Sequence, residues 1–488
     1  MTEVKDVSFV LEETTIADIQ NAFDREQLTS EQLVRLYLQQ ISRHNLLGSK
    51  INAVIEMNPD ALHIAESLDA ERLSKGKRGP LHGIPVLLKD NINTGDAMHT
   101  SAGSLALADS YALEDAGITA KLREAGAVIL GKTNMTEWAN FMTENMPNGF
   151  SSRGGQVLNP YGPGSFDVSG SSSGSGAAVA ANFAVAAIGT ETSGSILCPA
   201  SANGIVGIKP TTGLLSRFGI IPISTSQDTA GPMARTVTDA AILLGAITGV
   251  DERDSATNKS VGSFETDYTK YLQNKALDGA RIGICYDYCT KDLTPSEKER
   301  FDHAIETIKQ QGGQVILLDS VTPLETEVWD YNVLIYEFKS GINHYLKQHT
   351  SLASITSLQD IIAFNKDHSA DCLQHGQVLL EQSEKTSGTL TEPQYLDSRL
   401  NDLQKSKALG IDRAMKESQL DALLYPGETG YGFSAKAGYP SISVPAGYDS
   451  DGRPFGIVFT SSAFKEPDLI RFAYSFEQAT LHRVPPKL

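Results

Sequence analysis

Between Ser169 and Pro199 the chain reads SGSSSGSGAAVAANFAVAAIGTETSGSILCP, two clusters of serine and glycine separated by an apolar run of small residues. Serine brings a hydroxyl that attacks a carbonyl once a base takes its proton, and glycine lets backbone approach a ligand or another strand closely. The two clusters are therefore two hydroxyl-bearing turns suited to nucleophilic acyl transfer. A flexible Gly/Ser linker would not contain Ala177 to Ile188, twelve residues of which only Asn182 is polar; such a run belongs in a packed layer.

Either turn could hold the nucleophile. Gly170-Ser171-Ser172-Ser173-Gly174 matches G-x-S-x-G, the nucleophile elbow, with Ser172 at the attacking position. An elbow needs a buried strand before it, whereas residues 160–168, PYGPGSFDV, are a Pro/Gly-rich loop. The second turn offers Ser195. Backbone N–H groups of Thr192, Ser193, Gly194 and Ser195, following a buried strand at 184–189, would point at a developing oxyanion. Neither a histidine nor a carboxylate lies in an obvious place to activate it, but a desolvated lysine bridged by another hydroxyl would do that work. Gly83-Ile-Pro-Val-Leu-Leu-Lys89-Asp90-Asn91 is an apolar strand ending in such a lysine. At a solvated strand end Lys89 has no special role; kept beside the apolar layer it loses pKa and becomes the neutral amine a base requires.

Other chemistries find no pattern. The ten histidines contain no HExxH, there is no CxxC, and neither glycine cluster fits GxGxxG after a strand or precedes GK[ST]. The expectation is no metal and no cofactor.

These residues need a scaffold. Thr29-Ser30-Glu31-Gln32 opens a helix over 30–43, 51–57 reads as a strand, and Asn58-Pro59 reads as the cap and first residue of the next helix. Residues 116–131 read as helix, Gly126 stop and buried strand. The stretch 133–150, with Asn134, Glu137, Trp138, Asn140 and Phe141, lines a cleft or packs as loop. Residues 204–236 suggest short strands and turns, 238–247 a helix, and 281–318 a β-α-β unit. After a mostly helical segment at 320–415 come strands at 420–425, 441–444 and 457–460 and a helix near 466–479. With no repeat and no linker, the expectation is one α/β domain spanning 1–488. It would be a single twisted mixed sheet covered by helices on both faces, its core at about 50–320 and 415–488.

Charge and targeting narrow the partners. Forty-one Lys and Arg against 59 Asp and Glu give a net charge of -18, which repels phosphate backbones and anionic membranes. The apolar run is too short to span a bilayer. The four cysteines form no disulfide framework and read as buried thiols. The N-terminus lacks the plan of a signal peptide, so the cytoplasm is the expected location unless a leader has been removed.

Five ordered segments together resemble the amidase signature family: Gly83 to Asn91, Ser169 to Ser175, Gly189 to Ile196, Gly207-Ile-Lys-Pro-Thr211 with Asp228 to Ala234 (DTAGPMA), and Gly438-Tyr-Pro-Ser-Ile-Ser-Val-Pro445. The resemblance covers about residues 25 to 480. It implies an amide hydrolase without metal or cofactor, with Ser195 as nucleophile, Ser171 in a cis peptide as the bridging serine and Lys89 as base. Glu137 to Phe141, Ser152 to Gln156, Asn159 to Tyr161, Ser226 to Arg235 and Tyr336 to Lys339 are similar to members that remove the C-terminal amide of peptides. That implies no nucleic acid, no membrane and no obligate protein partner. The family also contains general small-amide and aryl-ester amidases, and glutamine-amidotransferase subunits that work with a partner chain. Two departures stand out. The usual GGSSGG reads SGSSSG, and the usual Gly-Gly-Ser before the nucleophile reads Ser193-Gly194-Ser195.

Overall fold

Runs of β-branched and small apolar residues bounded by glycine, proline and asparagine form the strands, and the computed structural model describes them within residues 9–322 and 330–488. In chain order they are β1 (Val54–Met57), β2 (Pro85–Lys89), β3 (Val128–Thr133), β4 (Phe150–Ser151), β5 (Gly155–Gln156), β6 (Ala186–Glu191), β7 (Val206–Lys209), β8 (Thr229–Ala234), β9 (Arg281–Ile284), β10 (Gln314–Leu317), β11 (Ala422–Pro426), β12 (Ser441–Tyr448) and β13 (Pro454–Thr460). Among the described residues β4 and β5 make a small hairpin. The rest form one sheet of eleven strands, ordered β1-β3-β2-β6-β8-β7-β12-β13-β11-β9-β10. It is mixed: β3, β2 and β6 run parallel, β6 to β11 pair antiparallel, and β9 lies parallel to both β10 and β11. The expected β-α-β unit is β9, the helix Pro295–Gln310 and β10, its helix opened by a Thr294 capping box and Pro295.

Helices flank the sheet, and their starts follow local rules. Thr29 accepts from Gln32 N–H and opens Ser30–His44, as its capping box predicts. Asn58 departs from expectation. The helix begins at Ala61 after Asp60, and Asn58 Oδ1 instead accepts from Asp60 N–H, so Asn58-Pro59 forms the turn ahead of the helix.

Two apolar clusters divide the interior. The larger surrounds the sheet, with β2, β3, β6 and β8 buried along their whole length. The smaller joins Trp138, Phe141 and Met142 of the loop after β3 to Leu334, Phe338 and Ile342 of the helix Asn332–His349. The helical segment is thus packed onto the loop that leaves the central strands. No helix among the described residues is long and apolar enough to cross a membrane, and the four cysteines are buried and unbridged.

Candidate functional site

The two Ser/Gly turns meet because the apolar run between them folds as a helix, Ser173–Ala180, followed by β6. The run can pack so closely because its residues are small: a Cβ at Gly174 would stand 2.2 Å from the Asn134 carbonyl oxygen. The main chain ties the turns together, Ser172 N–H donating to Ser195 O at 3.1 Å. The peptide bond between Gly170 and Ser171 is cis, as the resemblance implied.

Strand β2 lies beside β6 and delivers Lys89 to the first turn. Its Nζ donates to Ser171 Oγ at 2.8 Å, to Ser172 Oγ at 2.9 Å and to the Thr190 carbonyl at 3.2 Å. Lys89 is fully buried, and burial lowers its pKa to about 7, while the carboxylates Glu191 and Asp228 act to raise it. The solvated-strand-end alternative is thereby excluded.

Ser172 is not the exposed serine of an elbow. Its hydroxyl is buried, donates to Thr190 O at 3.0 Å and accepts from Thr190 N–H at 3.2 Å, which clamps the first turn to the end of β6. Ser195, in the second turn, lines a cavity of about 470 Å³ together with Ser169, Gly170, Thr192 and Ser193.

One expected oxyanion donor is otherwise engaged. Gly194 adopts φ 85°, and its N–H donates to Glu191 Oε1 at 2.9 Å. The same carboxylate accepts from Ile196 N–H at 2.7 Å and Leu197 N–H at 3.0 Å. Glu191 therefore holds the loop from beneath through three backbone donors. Its carboxylate does not engage the N–H groups of Thr192, Ser193 and Ser195. A Cβ at Gly194 would lie 2.9 Å from Cys198 Sγ and 3.1 Å from the Tyr431 ring, so glycine is required there for space as well as for conformation.

Asp228, in the DTAGPMA segment, supports the other side of that loop. It accepts from Thr192 Oγ1 and from the N–H groups of Ile223 and Ser224, both at 2.8 Å, and burial pushes its acid up to about 6. Gln227 Nε2 donates to the Thr192 carbonyl at 3.2 Å. Sequence reasoning weighed Ser172 only as an elbow nucleophile, not as the clamp it is, and assigned no role to Glu191, Gln227 or Asp228. All four stand inside segments that carried the resemblance, Gln227 in Ser226 to Arg235, but residue type alone did not separate support from chemistry.

The stretch after β3 divides between the two roles left open for it. Trp138, Ala139 and Asn140 have φ of 51°, 54° and 68°, a left-handed run rare outside glycine. It brings Ala139, Asn140 and Phe141 to the cavity, whereas Asn134, Glu137 and Trp138 are packed. Glu137 accepts from Ser152 N–H at 2.7 Å, and burial pushes its acid up to about 7. Leu334, Ile223, Tyr431 and Glu428 complete the wall. A separate cavity of about 230 Å³ shares Ala139, Thr192 and Ile223 with this one and does not touch Ser195.

Comparison with known proteins identifies the family. A family model described as Amidase matches residues 32–433. The crystal structure of peptide amidase from Stenotrophomonas maltophilia is 46% identical, with a TM-score of 0.92 over 98% of this chain and 99% of that one. A probable amidase of Arabidopsis thaliana is 44% identical over 98% of this chain and 92% of its own. At 31% identity, over 96% of this chain and 98% of the relative, stands a glutamyl-tRNA(Gln) amidotransferase subunit of Halorhodospira halophila. With the buried lysine, the cis-linked serine and the second Ser/Gly turn all in one place, the chain belongs to the amidase signature family of amide-hydrolysing enzymes.

Proposed function

We propose that this chain is a serine amidase of a single unit, residues 1–488, that releases ammonia from the C-terminal amide of peptides through an acyl-enzyme. The observation that carries the chemistry is the contact of buried Lys89 Nζ with Ser171 Oγ at 2.8 Å, in a turn bonded to Ser195. A lysine whose pKa burial brings to about 7 is neutral in a useful fraction at neutral pH.

In this mechanism Lys89 takes the proton of Ser171 as Ser171 takes that of Ser195. Ser195 Oγ attacks the amide carbonyl, and the N–H groups of Thr192, Ser193 and Ser195 receive the oxyanion. The proton returns from Lys89 through Ser171 to the leaving nitrogen, and ammonia departs. Water, deprotonated through the same relay, then attacks the ester carbonyl; Ser195 recovers its proton and the peptide acid is freed. Glu191 and Asp228 keep the donor loop in place, a positioning role.

Peptide amides are favoured as substrates by the 46% identity to a peptide amidase, against 31% to the amidotransferase relative. The test is ammonia release by the purified chain from a panel of peptide amides, simple alkyl and aryl carboxamides and glutamine. Peptide amides are expected to lead without any partner protein. A preference for glutamine, or activity appearing only with a second chain, moves the reading to the amidotransferase class. A preference for simple carboxamides removes the peptide label and leaves the triad.

A further inference from the structure

The cavity that holds Ser195 continues beyond its wall. A second cavity of about 250 Å³ meets it at Glu428, Tyr431 and Gly432 and runs on to Tyr288, Lys291 and Phe433. Glu428 stands at the junction, in the turn Gly427-Glu428-Thr429-Gly430 that leaves β11. Its side chain is exposed, and among the described residues no cation lies within 4.0 Å of its carboxylate.

Each of the two cavities is lined by one lysine among the described residues. Lys436 pairs with Asp402 at 2.7 Å, and Lys291 lies 4.9 Å over the Tyr288 ring and 4.0 Å from Asp292. A carboxylate that lines a groove without a paired cation is free to attract the cation of a bound ligand.

A peptide whose amide end lies at Ser195 must send its acyl portion out along the groove. The one cation common to all unblocked peptides is the ammonium at the opposite end from the scissile amide. On the peptide-amide reading above, we infer that the second cavity is the subsite for the amino end of the substrate, whose ammonium pairs with the Glu428 carboxylate. Short peptide amides with a free amino terminus are then the preferred class, at the chain length that spans from Ser195 to the junction.

The experiment measures kcat/KM for neutral di-, tri- and tetrapeptide amides, each with a free and an acetylated amino terminus. At one length the free amine is expected to be better by about tenfold, the scale of one charged hydrogen bond. That ratio should fall to near one in Glu428→Gln, below one in Glu428→Lys, and persist in part in Glu428→Asp. The ratio compares two substrates on one enzyme, so partial loss of folded protein does not move it. An acetylation effect absent at every length, or present and unaltered by Glu428→Gln, overturns the subsite while leaving the peptide-amidase reading intact. If acetylated peptides carrying a lysine side chain gain instead, and lose the gain in Glu428→Gln, the carboxylate reads a side chain and the amino-end assignment fails. If wild-type protein turns over no peptide amide, both readings fail together.

Discussion

The floor of the cavity and its far wall are built by different means. The floor, from Ser169 to Pro199, consists of short side chains and main chain on a fully buried strand, and its positions are set by hydrogen bonds: Lys89 to Ser171 and Ser172, Ser172 to Ser195, and Glu191 to three N–H groups. The wall joins the left-handed turn at 138–140 to the helix Asn332–His349 through large apolar side chains, with Phe338 edge-on to Trp138 at 6.3 Å. Glu337 tethers that helix to the floor's support, accepting from Ser224 Oγ at 2.5 Å, from Ser226 N–H at 2.9 Å and from Tyr395 Oη at 2.7 Å. Proton transfer demands groups with little freedom, and short side chains supply it. A surface that selects an acyl group needs shape, and large side chains supply that at the expense of tolerance.

If the division holds, floor variants lower turnover of every substrate and wall variants change only which substrates are preferred. On the proposed mechanism, Ser195→Ala and Lys89→Ala should each lower kcat/KM for ammonia release by at least about 10³-fold across the panel, since nucleophile and base would then act as a unit. Near-normal rates in either variant would remove the floor's claim to the chemistry. Loss of fluorophosphonate labelling in Ser195→Ala is the companion measurement.

Gly194→Ala is expected next, with kcat down about 10²-fold and KM little changed for all substrates, the size of losing one oxyanion donor. The new methyl would sit 2.9 Å from Cys198 Sγ at φ 85°, so the loop carrying the donors must move. An effect confined to bulky substrates would transfer Gly194 to the wall.

The pH profile sharpens the role of the base. Lys89 is lowered to about 7, so its neutral form is lost below that value, and kcat/KM should fall by about tenfold per pH unit there and level off above it. Asp228 acts to raise that pKa, so Asp228→Asn should shift the inflection to lower pH; a shift upward would contradict the assignment.

The smallest effect on chemistry is expected in the wall. Leu334→Ala should change kcat/KM by about tenfold for amides with bulky acyl groups and much less for the smallest ones, the range of a side-chain deletion in an apolar pocket. It should also cost about 2–5 kcal/mol of stability in thermal or denaturant unfolding, because Leu334 is buried against the smaller apolar cluster. Equal losses on all substrates would mean that wall and floor are coupled, with Glu337 the connection to examine.

Much of the fold was legible because local signals were strong. The Thr29 and Thr294 capping boxes, the Gly126 stop at φ 84° and the apolar strands each state their element within a few residues. Asn58-Pro59 was misjudged because an Asx turn and a helix cap have the same short-range signature. The wall was the least legible part, for Ala139 and Leu334 meet across nearly two hundred residues and apolar side chains carry no mark of the surface they share.

By itself the sequence determined the chemistry on offer: two hydroxyl-bearing turns, a small-residue layer between them, and a lysine at the end of an apolar strand. Those features are residue types at short spacing, and the need for a nucleophile, a base and close backbone approach restricts them tightly. Tertiary structure decided which groups meet. Lys89 reaches Ser171 and Ser172 across 82 and 83 residues, Gly194 N–H turns down to Glu191, Asp228 braces Thr192, and Glu428 is left uncompensated where two cavities join. Burial did the rest, because the low pKa of Lys89 belongs to the packed layer around it and not to the lysine.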